Sequence, residues 1–440
     1  MKIVILNGSP KGMTSVTMQY ILFLKKKLPQ HEFAILDVCQ EIKKLEDDQQ
    51  AFQEVLSSVA ASDGVLWAFP LYYMLVHAHY KRFIELLFAR GGAGAFKDKY
   101  TAVLTTSIHF FDHTAHDYIN GICDDLGMKF VGSYSAAMDD LLKEQERDRL
   151  LLFADDFFHA IQDGVATPKR FRPVVYDAFA YDPGLPATKV DTFGKNIVIV
   201  SDADDPSGNL AKMVAQLQAC FQGQATVVNL HQINIKGGCL GCCQCGLDNV
   251  CVYKDVDDVY GVYRKLMVAD AVILAGSVQD RYWSSRWKLF FDRGFFMNHV
   301  PIFAGKQMGC LVAGPLGQLA TLRQVLEGYV ETQQANLVGI VTDECASSQE
   351  LDRLLDGFAG RLIDYAAAGY IRPPTFVSVA ARKLFRDEIW AELRFLFRQD
   401  HRYYKSHGLY DFPRRSLKRR IVDAAFTVLL MIPPFRWDRA

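Results

Sequence analysis

The chain contains itself twice, and this repeat limits its fold more than any other feature. Lys2-Ile3-Val4-Ile5-Leu6 and Asn196-Ile197-Val198-Ile199-Val200 are similar β-branched runs, 194 positions apart. Phe33 to Val38 pairs with Ala225 to Leu230 as a second strand, and Leu36 matches Leu230 at that same offset. Further along the offset becomes 207: Asp63 matches Asp270, Lys81 matches Lys288, Glu85 matches Asp292 and Gly132 matches Gly339. The two offsets differ by 13, and Cys239–Cys251, which holds five of the ten cysteines, is 13 residues long. The second half is therefore the first half plus a cysteine-bearing insert, and the two copies must fold alike.

Each copy alternates apolar runs with helical patterns; in the first the strands fall near 3–6, 33–38, 65–69, 101–106 and 130–134. Short, continuously apolar runs read as parallel strands buried on both faces. Five of them separated by helices predict an α/β protein of two tandem flavodoxin-like, doubly wound, five-stranded parallel sheets, followed by a C-terminal helical tail. The expected boundaries are a first domain over 1–165, a linker over 166–194, a second domain over 195–372 and a tail over 373–440. The linker reading rests on four prolines and a broken pattern between Gly164 and Gly194. With half its residues hydrophobic, the chain is neither disordered nor of low complexity.

Gly8-Ser9-Pro10-Lys11-Gly12-Met13-Thr14-Ser15-Val16-Thr17 follows the first strand and opens a helix. In a doubly wound sheet this loop lies at the carboxyl edge, where ligands bind. Its glycines let the backbone approach, its hydroxyls donate hydrogen bonds, and the helix N-terminus favours an anion. It is neither a Gly-x-Gly-x-x-Gly nor a Walker loop; a monophosphate fits it better, with an ordinary capped helix start as the plain alternative. Two more loops should converge there. Trp67-Ala68-Phe69-Pro70-Leu71-Tyr72-Tyr73 brings aromatics that could pack on a planar ring or only line the core. Thr105-Thr106-Ser107-Ile108-His109-Phe110-Phe111-Asp112-His113 is the third. His109, Asp112, His113 and His116 could hold a metal, but a polar loop at the ligand's edge, with Asp112 capping the next helix, is the simpler reading.

Gly8-Ser9-Pro10, Thr17, Pro70-x-Tyr72 and Lys81, eleven residues after Pro70, together resemble the flavodoxin-like flavin reductase superfamily, which includes NAD(P)H-dependent FMN reductases. The resemblance covers most of residues 1–165. It implies FMN, with Ser9, Ser15 and Thr17 on the phosphate and Pro10, Lys11 and Val16 in the same loop. By the same resemblance Pro70, Leu71 and Tyr72, with Tyr73 beside them, border the isoalloxazine, and Thr106 and Ser107 lie on its other side. Glu85-Leu86 departs from the family, where relatives often carry Asp-Arg.

Cys239, Cys242, Cys245 and Cys251 have the spacing C-x2-C-x2-C-x5-C. Four thiolates this close can wrap one cubane, as in compact ferredoxin runs, whereas zinc knuckles are usually separated by a longer stretch. A [4Fe-4S] cluster is therefore expected ahead of zinc, and disulfides rank last. Cys243, next to Cys242, is not expected to share the ligand role. The run, together with Ala269-Asp270 and Lys288-Leu-Phe-Phe-Asp-Arg293, resembles the iron–sulfur flavoproteins over about residues 195–345. That resemblance implies Cys239, Cys242, Cys245 and Cys251 as the metal ligands, and subunits that associate so that cofactors approach one another.

The halves look complementary. Ser201-Asp202-Ala203-Asp204-Asp205-Pro206 replaces the phosphate loop with three carboxylates, and Ser277-Val278-Gln279-Asp280 lacks Pro-x-Tyr, so the second half is expected to have lost FMN. The first half lacks the cysteine cluster. A fused pseudo-dimer results, with FMN on one half facing a cluster on the other; further pairing into a homodimer is open. The expected activity is an FMN- and iron–sulfur-containing oxidoreductase that moves electrons between NAD(P)H or ferredoxin and a small acceptor such as a quinone or flavin. Alternatives are a non-enzymatic electron-transfer flavoprotein and a flavin-binding module with structural zinc. Tyr72, Tyr73, His109 and His113 are the candidate acids or bases, only because they should lie near the flavin.

Residues 381–440 carry 14 Lys+Arg against seven Asp+Glu, a net +7 that the remaining −8 conceals in a total of −1. Phe385, Ile389, Trp390, Leu393, Phe397 and Tyr404 suggest an amphipathic helix, packed across the two domains or meeting an acidic partner or an anionic membrane through Ala424 to Trp437. Ala424 to Ile432 is too short to span a bilayer. No nucleic-acid module is recognisable and no secretory leader is visible, which points to a reducing cytoplasm.

Overall fold

The computed structural model describes residues 1–412 and 417–431, apart from positions 178, 188, 224 and 298. The first half forms strands β1 (Lys2–Asn7), β2 (Glu32–Leu36), β3 (Gly64–Pro70), β4 (Tyr100–Thr106) and β5 (Lys129–Ala136). They pair in parallel in the order β2-β1-β3-β4-β5. The second half repeats the order with β6 (Ile197–Ser201), β7 (Thr226–Asn229), β8 (Ala271–Gln279), β9 (Gln307–Ala313) and β10 (Asn336–Thr342), paired as β7-β6-β8-β9-β10. A short antiparallel segment, Tyr282–Trp283, folds back on the end of β8.

The repeat extends to local irregularities. The β4–β5 register shifts between Thr101 and Ala102, and the β9–β10 register shifts between Met308 and Gly309, 207 positions later. Tyr73 and Met74 have φ of 40° and 63°; Asp280 and Arg281, at the same offset, have 45° and 64°. Left-handed backbone is costly for such residues, by about 1–3 kcal/mol each, so the turn persists only where its surroundings hold it.

Strand alternation decides what faces what. Ile3 and Ile5 pack into an outer core with Met18, Ile21, Leu24 and Phe157, while Val4 and Leu6 face inward. Ile197 and Ile199 likewise face outward, and Val198 and Val200 join the same inward core as Val4 and Leu6. One hydrophobic core therefore runs through both halves, with helices Ala78–Ala89 and Asp112–Asp125 of the first and Ser285–Arg293 and Ala320–Thr332 of the second between the sheets.

At its centre lies a reciprocal clamp. Glu85 accepts hydrogen bonds from Ser285 N–H (2.5 Å) and Ser285 Oγ (2.6 Å), at the start of the opposite helix. Asp292, its counterpart, accepts from Ala78 N–H (2.7 Å). Lys81 donates to Glu85 (3.1 Å) and to the Gln279 carbonyl (3.0 Å); Lys288 pairs with Asp292 and donates to the Tyr72 carbonyl (3.0 Å). Each helix N-terminus is thus capped by the other half's carboxylate. Each strained turn is held by the other half's lysine.

Residues after Gly164 are not a free spacer. Tyr181 is fully buried and donates to Asp352 (2.5 Å), and Val190–Asp191 pairs with Phe221–Gln222. The tail differs from one amphipathic helix: it is helical over Phe376–Glu388, widens into a π turn over Ile389–Leu393 and resumes over Arg398–Ser406. The break lets Phe385 and Tyr404 reach one buried cluster together with Ile108 and Phe110 of the first half. Trp390, expected on the packed face, is half exposed. In helix Leu417–Met431 the described residues, among them Ile421 and Phe426, are exposed; Ile432 to Trp437 lie outside the described residues. Among the described residues no helix is long and apolar enough to cross a membrane.

Glu85→Ala would leave Lys81 buried without its carboxylate and strip the cap from helix Ser285–Arg293, at a cost of about 3–5 kcal/mol in denaturant unfolding, and Glu85→Gln, which still accepts from Ser285, would cost less. Burial raises the Glu85 carboxyl, but Lys81 and the Ser285 donors outweigh it and hold the group below its ordinary 4.5. Its contribution to stability is therefore complete above the ordinary value and lost as pH falls through the lower folded one, so the gap between wild type and Glu85→Gln should shrink in acid.

Candidate active site

The loop after β1 is shaped by its own short contacts. Gly8 sits where a Cβ would come within 2.7 Å of Phe69 and Tyr80, so no larger residue fits. The Asn7 side chain donates to Asp37 (2.5 Å) and accepts from Ser9 N–H (3.0 Å); Lys11 N–H donates to Ser9 Oγ (3.2 Å). Ser15 caps helix Val16–Lys27, its Oγ accepting from Met18 N–H (3.3 Å). Ser9, Lys11, Ser15 and Val16 line a cavity of about 310 Å³ at the carboxyl edge of the first sheet. Hydroxyls, one ammonium and a helix N-terminus suit an anionic phosphate.

Pro70, Leu71, Tyr72, Tyr73, Thr106 and Ser107 line the same cavity. Leu71 N–H donates to the Thr106 carbonyl (3.1 Å), tying the loop after β3 to that after β4. Pro10 and Thr17 do not line it; Thr17 is fully buried, and its hydroxyl is 2.6 Å from that of Thr106. Burial pushes the Tyr72 and Tyr73 phenols well above their ordinary value, so both stay protonated and can only donate or stack.

His109 and His113 do not line the cavity. His109 is half exposed and turned to Asp112 (3.1 Å) and Ser135 (3.1 Å), because its own φ of 63° and that of Phe111 carry the loop outward. His113 stacks on Phe111 instead. Asp112 accepts from His113 N–H (2.8 Å) at the start of helix Asp112–Asp125, in place of a metal-ligating role.

The cysteine segment of the second half forms the opposite wall. Cys239, Gly241 and Cys243 line the cavity beside Lys11 and Tyr72. At Gly241 (φ 62°) any Cβ would strike the Tyr72 hydroxyl, so the loop approaches that closely only as glycine. All five cysteines, Cys239, Cys242, Cys243, Cys245 and Cys251, line a second, smaller cavity behind it, with Arg293. Cys239 and Cys243 border both. The ten cysteines are unbridged.

His77 and His79 position this segment. Burial keeps His77 neutral, so its Nε2 donates to the Cys239 carbonyl (3.0 Å) while Nδ1 accepts from His79 N–H (3.2 Å). His79 Nε2 accepts from Gly238 N–H (3.2 Å). Cys39, His77 and His79 have ligand atoms within 4.8 Å of one another, but these nitrogens are already engaged in holding the insert.

The cysteine cavity suits a cationic metal centre on an anionic sulfur cage. Burial pushes the Cys245 thiol up to about 12 and raises Cys239, so their ionisation needs positive charge nearby. Arg293 supplies part of it: it forks onto Asp257 (2.6 and 3.0 Å) and stacks on Tyr253, while its buried Nε has no partner among the described residues.

The equivalent edge of the second sheet is filled by the chain itself. Asn209, 194 positions after Ser15, accepts from Tyr181 N–H (3.0 Å) and donates to the Phe179 carbonyl (2.9 Å). Gln318, at the end of the loop after β9, accepts from Val175 N–H (3.1 Å) and donates to the Val175 carbonyl (2.5 Å), and Tyr176 donates to Asp343. Asp202 turns inward beneath them, accepting from Ser284 Oγ (2.5 Å) and Ser277 N–H (3.3 Å).

Cavity residues missed from sequence include Met74 and Met138 of the first half, and, from the second half and the tail, His299, Phe295, Arg382, Phe385, Phe397 and Tyr404. The interleaved aromatics of the tail were visible, but nothing local pointed them at the loop after β1.

Residues 1–141 match the family model of NADPH-dependent FMN reductases. Solved structures that match cover roughly a third to two fifths of this chain. The flavoenzyme NAD(P)H:(acceptor) oxidoreductase FerB from Paracoccus denitrificans is 18% identical, covers 36% of this chain and 97% of its own, and has a TM-score of 0.30. An FMN-dependent NADH-azoreductase from Bacillus anthracis, solved with FMN, is 10% identical over 37% of this chain and 99% of its own, with a TM-score of 0.27. No curated protein sequence matches the chain.

Burial pushes the Asp202 carboxyl up to about 7, against the donors around it. A carboxyl whose folded value exceeds its unfolded 3.8 loses stability as pH rises from 3.8 to about 7 and remains penalised above. Asp202→Asn, whose amide can satisfy the same partners, should therefore raise the denaturant midpoint more at pH 8 than at pH 5.

Proposed function

We propose that the chain is a fused pseudo-dimer holding one FMN on its first half and one [4Fe-4S] cluster on its second. In this reading it moves electrons from NAD(P)H or a reduced ferredoxin to a small acceptor such as a quinone or flavin. The observation that carries the reading is the shared wall: loops of the first half and cysteines of the second line one cavity, and Cys239 and Cys243 border both it and the cysteine pocket. The family match of residues 1–141 supports the FMN and nicotinamide part.

When bound, FMN exchanges one or two electrons and a cluster one, so the pair joins hydride chemistry to single-electron transfer. Ser9, Ser15 and Lys11 would take the phosphate. Tyr72 and Tyr73, kept protonated, would donate or stack at the ring, and Thr106 and Ser107 would face its polar edge. Cys239, Cys242, Cys245 and Cys251 would hold the cluster, with Arg293 offsetting its charge. A concave, aromatic-walled cavity favours a small acceptor over a purely protein-to-protein carrier.

The proposed division is a first domain over 1–165, a segment over 166–194 that fills the second edge, a second domain over 195–372 and a tail over 373–440. A reducing cytoplasm suits ten unbridged cysteines. The basic tail is the proposed contact for an acidic protein such as ferredoxin.

Anaerobically purified protein should contain one FMN and four iron atoms per chain. Cys242→Ser should lose the iron and its broad visible absorption while retaining FMN. Two FMN per chain, or stoichiometric zinc in place of iron, would overturn the assignment.

A further inference from the structure

The cavity contains one ionisable side chain whose orientation is set by a buried partner from another element. His299 follows the turn after helix Ser285–Arg293 and is 7% exposed; its Nδ1 lies 2.5 Å from Asp400 Oδ2, on tail helix Arg398–Ser406. Asp400 is itself 3% exposed. A carboxylate only accepts, so the proton of this bond sits on Nδ1. The imidazole is walled by Phe385, 4.9 Å between centroids, and Phe397, 4.8 Å. Among the described residues Nε2 has no protein partner, and the residue lines the cavity. The His299–Asp400 bond therefore joins the second half to the tail and leaves one nitrogen free for a ligand.

We propose that His299 is the proton donor to a carbonyl-bearing aromatic acceptor, of quinone type, and that Asp400 is its positioning residue. The inference rests on the flavoenzyme reading above and names the acceptor class of the same cavity. Aromatic walls from Phe110, Phe385 and Phe397 suit a flat ring. Reduction of a carbonyl oxygen by hydride transfer also needs a proton, and an imidazole fixed in the cavity wall is placed to supply it. The other candidates are unsuited: Tyr72 and Tyr73 are pushed away from ready proton release by burial, and His109 and His113 lie off the cavity.

The step balances. A hydride equivalent originating from NAD(P)H adds to the acceptor. The Nε2–H bond of the protonated His299 breaks as an O–H bond forms on the acceptor oxygen. The ring is left neutral with Nδ1–H still on Asp400, and solvent restores the proton after product leaves. One NAD(P)H, one quinone and one proton give one NAD(P)+ and one hydroquinone.

The test compares two oxidants on the full-length, cofactor-loaded protein after anaerobic reduction. Benzoquinone needs protons; ferricyanide takes electrons alone. In His299→Gln the benzoquinone rate, relative to the ferricyanide rate, should fall about 100-fold, and in Asp400→Asn about 10-fold. An unchanged ratio overturns the proposal. A second measurement needs no cofactor: nitrogen NMR of imidazole-labelled full-length protein should show neutral His299 held as the Nδ1–H tautomer, and Asp400→Asn should release it. Mixed tautomers in the wild type would overturn the pair even if the flavin assignment stands. Failure to bind FMN, with the tautomer held, would instead overturn the flavoenzyme reading and with it the proton-donor role.

Discussion

The reciprocal clamp between helices Ala78–Ala89 and Ser285–Arg293 is the contact on which the rest of the molecule depends. Glu85 and Asp292 each cap the other half's helix, and Lys81 and Lys288 each pin the other half's left-handed turn through Gln279 and Tyr72. Four ionisable groups in a shared core are expensive to desolvate, and none would be tolerated without its partners. The same bonds that weld the halves also set the position of Tyr72, which forms a wall of the cavity. Assembly and site geometry are consequently one problem.

Once welded, the halves diverge in use. The first keeps an open carboxyl edge with small hydroxyl residues and Gly8. The second has its edge closed from within by Val175, Tyr176 and Tyr181, bonded to Gln318, Asp343 and Asn209. Its insert crosses to the first half instead, where Gly241 meets Tyr72 and His77 holds the Cys239 carbonyl. Aromatic residues of the tail, Phe385, Phe397 and Tyr404, then cover the junction. A symmetric pair would offer two equivalent open sites; here one site is assembled from pieces of both copies and of the tail.

Much of the architecture was legible in the residues because period and offset are properties of sequence. The two sheets, their strand order, and the cysteine segment as an insertion all follow from repeats and apolar runs. Of the site, the loops after β1, β3 and β4 could be read because glycine, hydroxyl and aromatic residues at a sheet's carboxyl edge have few other uses. His109 and His113 were misplaced, since the positive φ at His109 and Phe111 that turns the loop outward has no mark in those residue types. The part Glu85 plays was hidden too: as a sequence it is only a departure from Asp-Arg, and its meaning appears when Ser285 is found 200 residues away.

Sequence by itself determined that this chain is a duplicated doubly wound fold with one phosphate-type loop and one cysteine insert, because strand patterning and loop chemistry are local. Tertiary structure alone decided that those two features face each other, that the linker closes the second edge, and that His299 meets Asp400 across 101 positions. Contacts at such separations depend on how two sheets and a tail dock, and docking is set by the summed complementarity of whole surfaces rather than by any short run of residues.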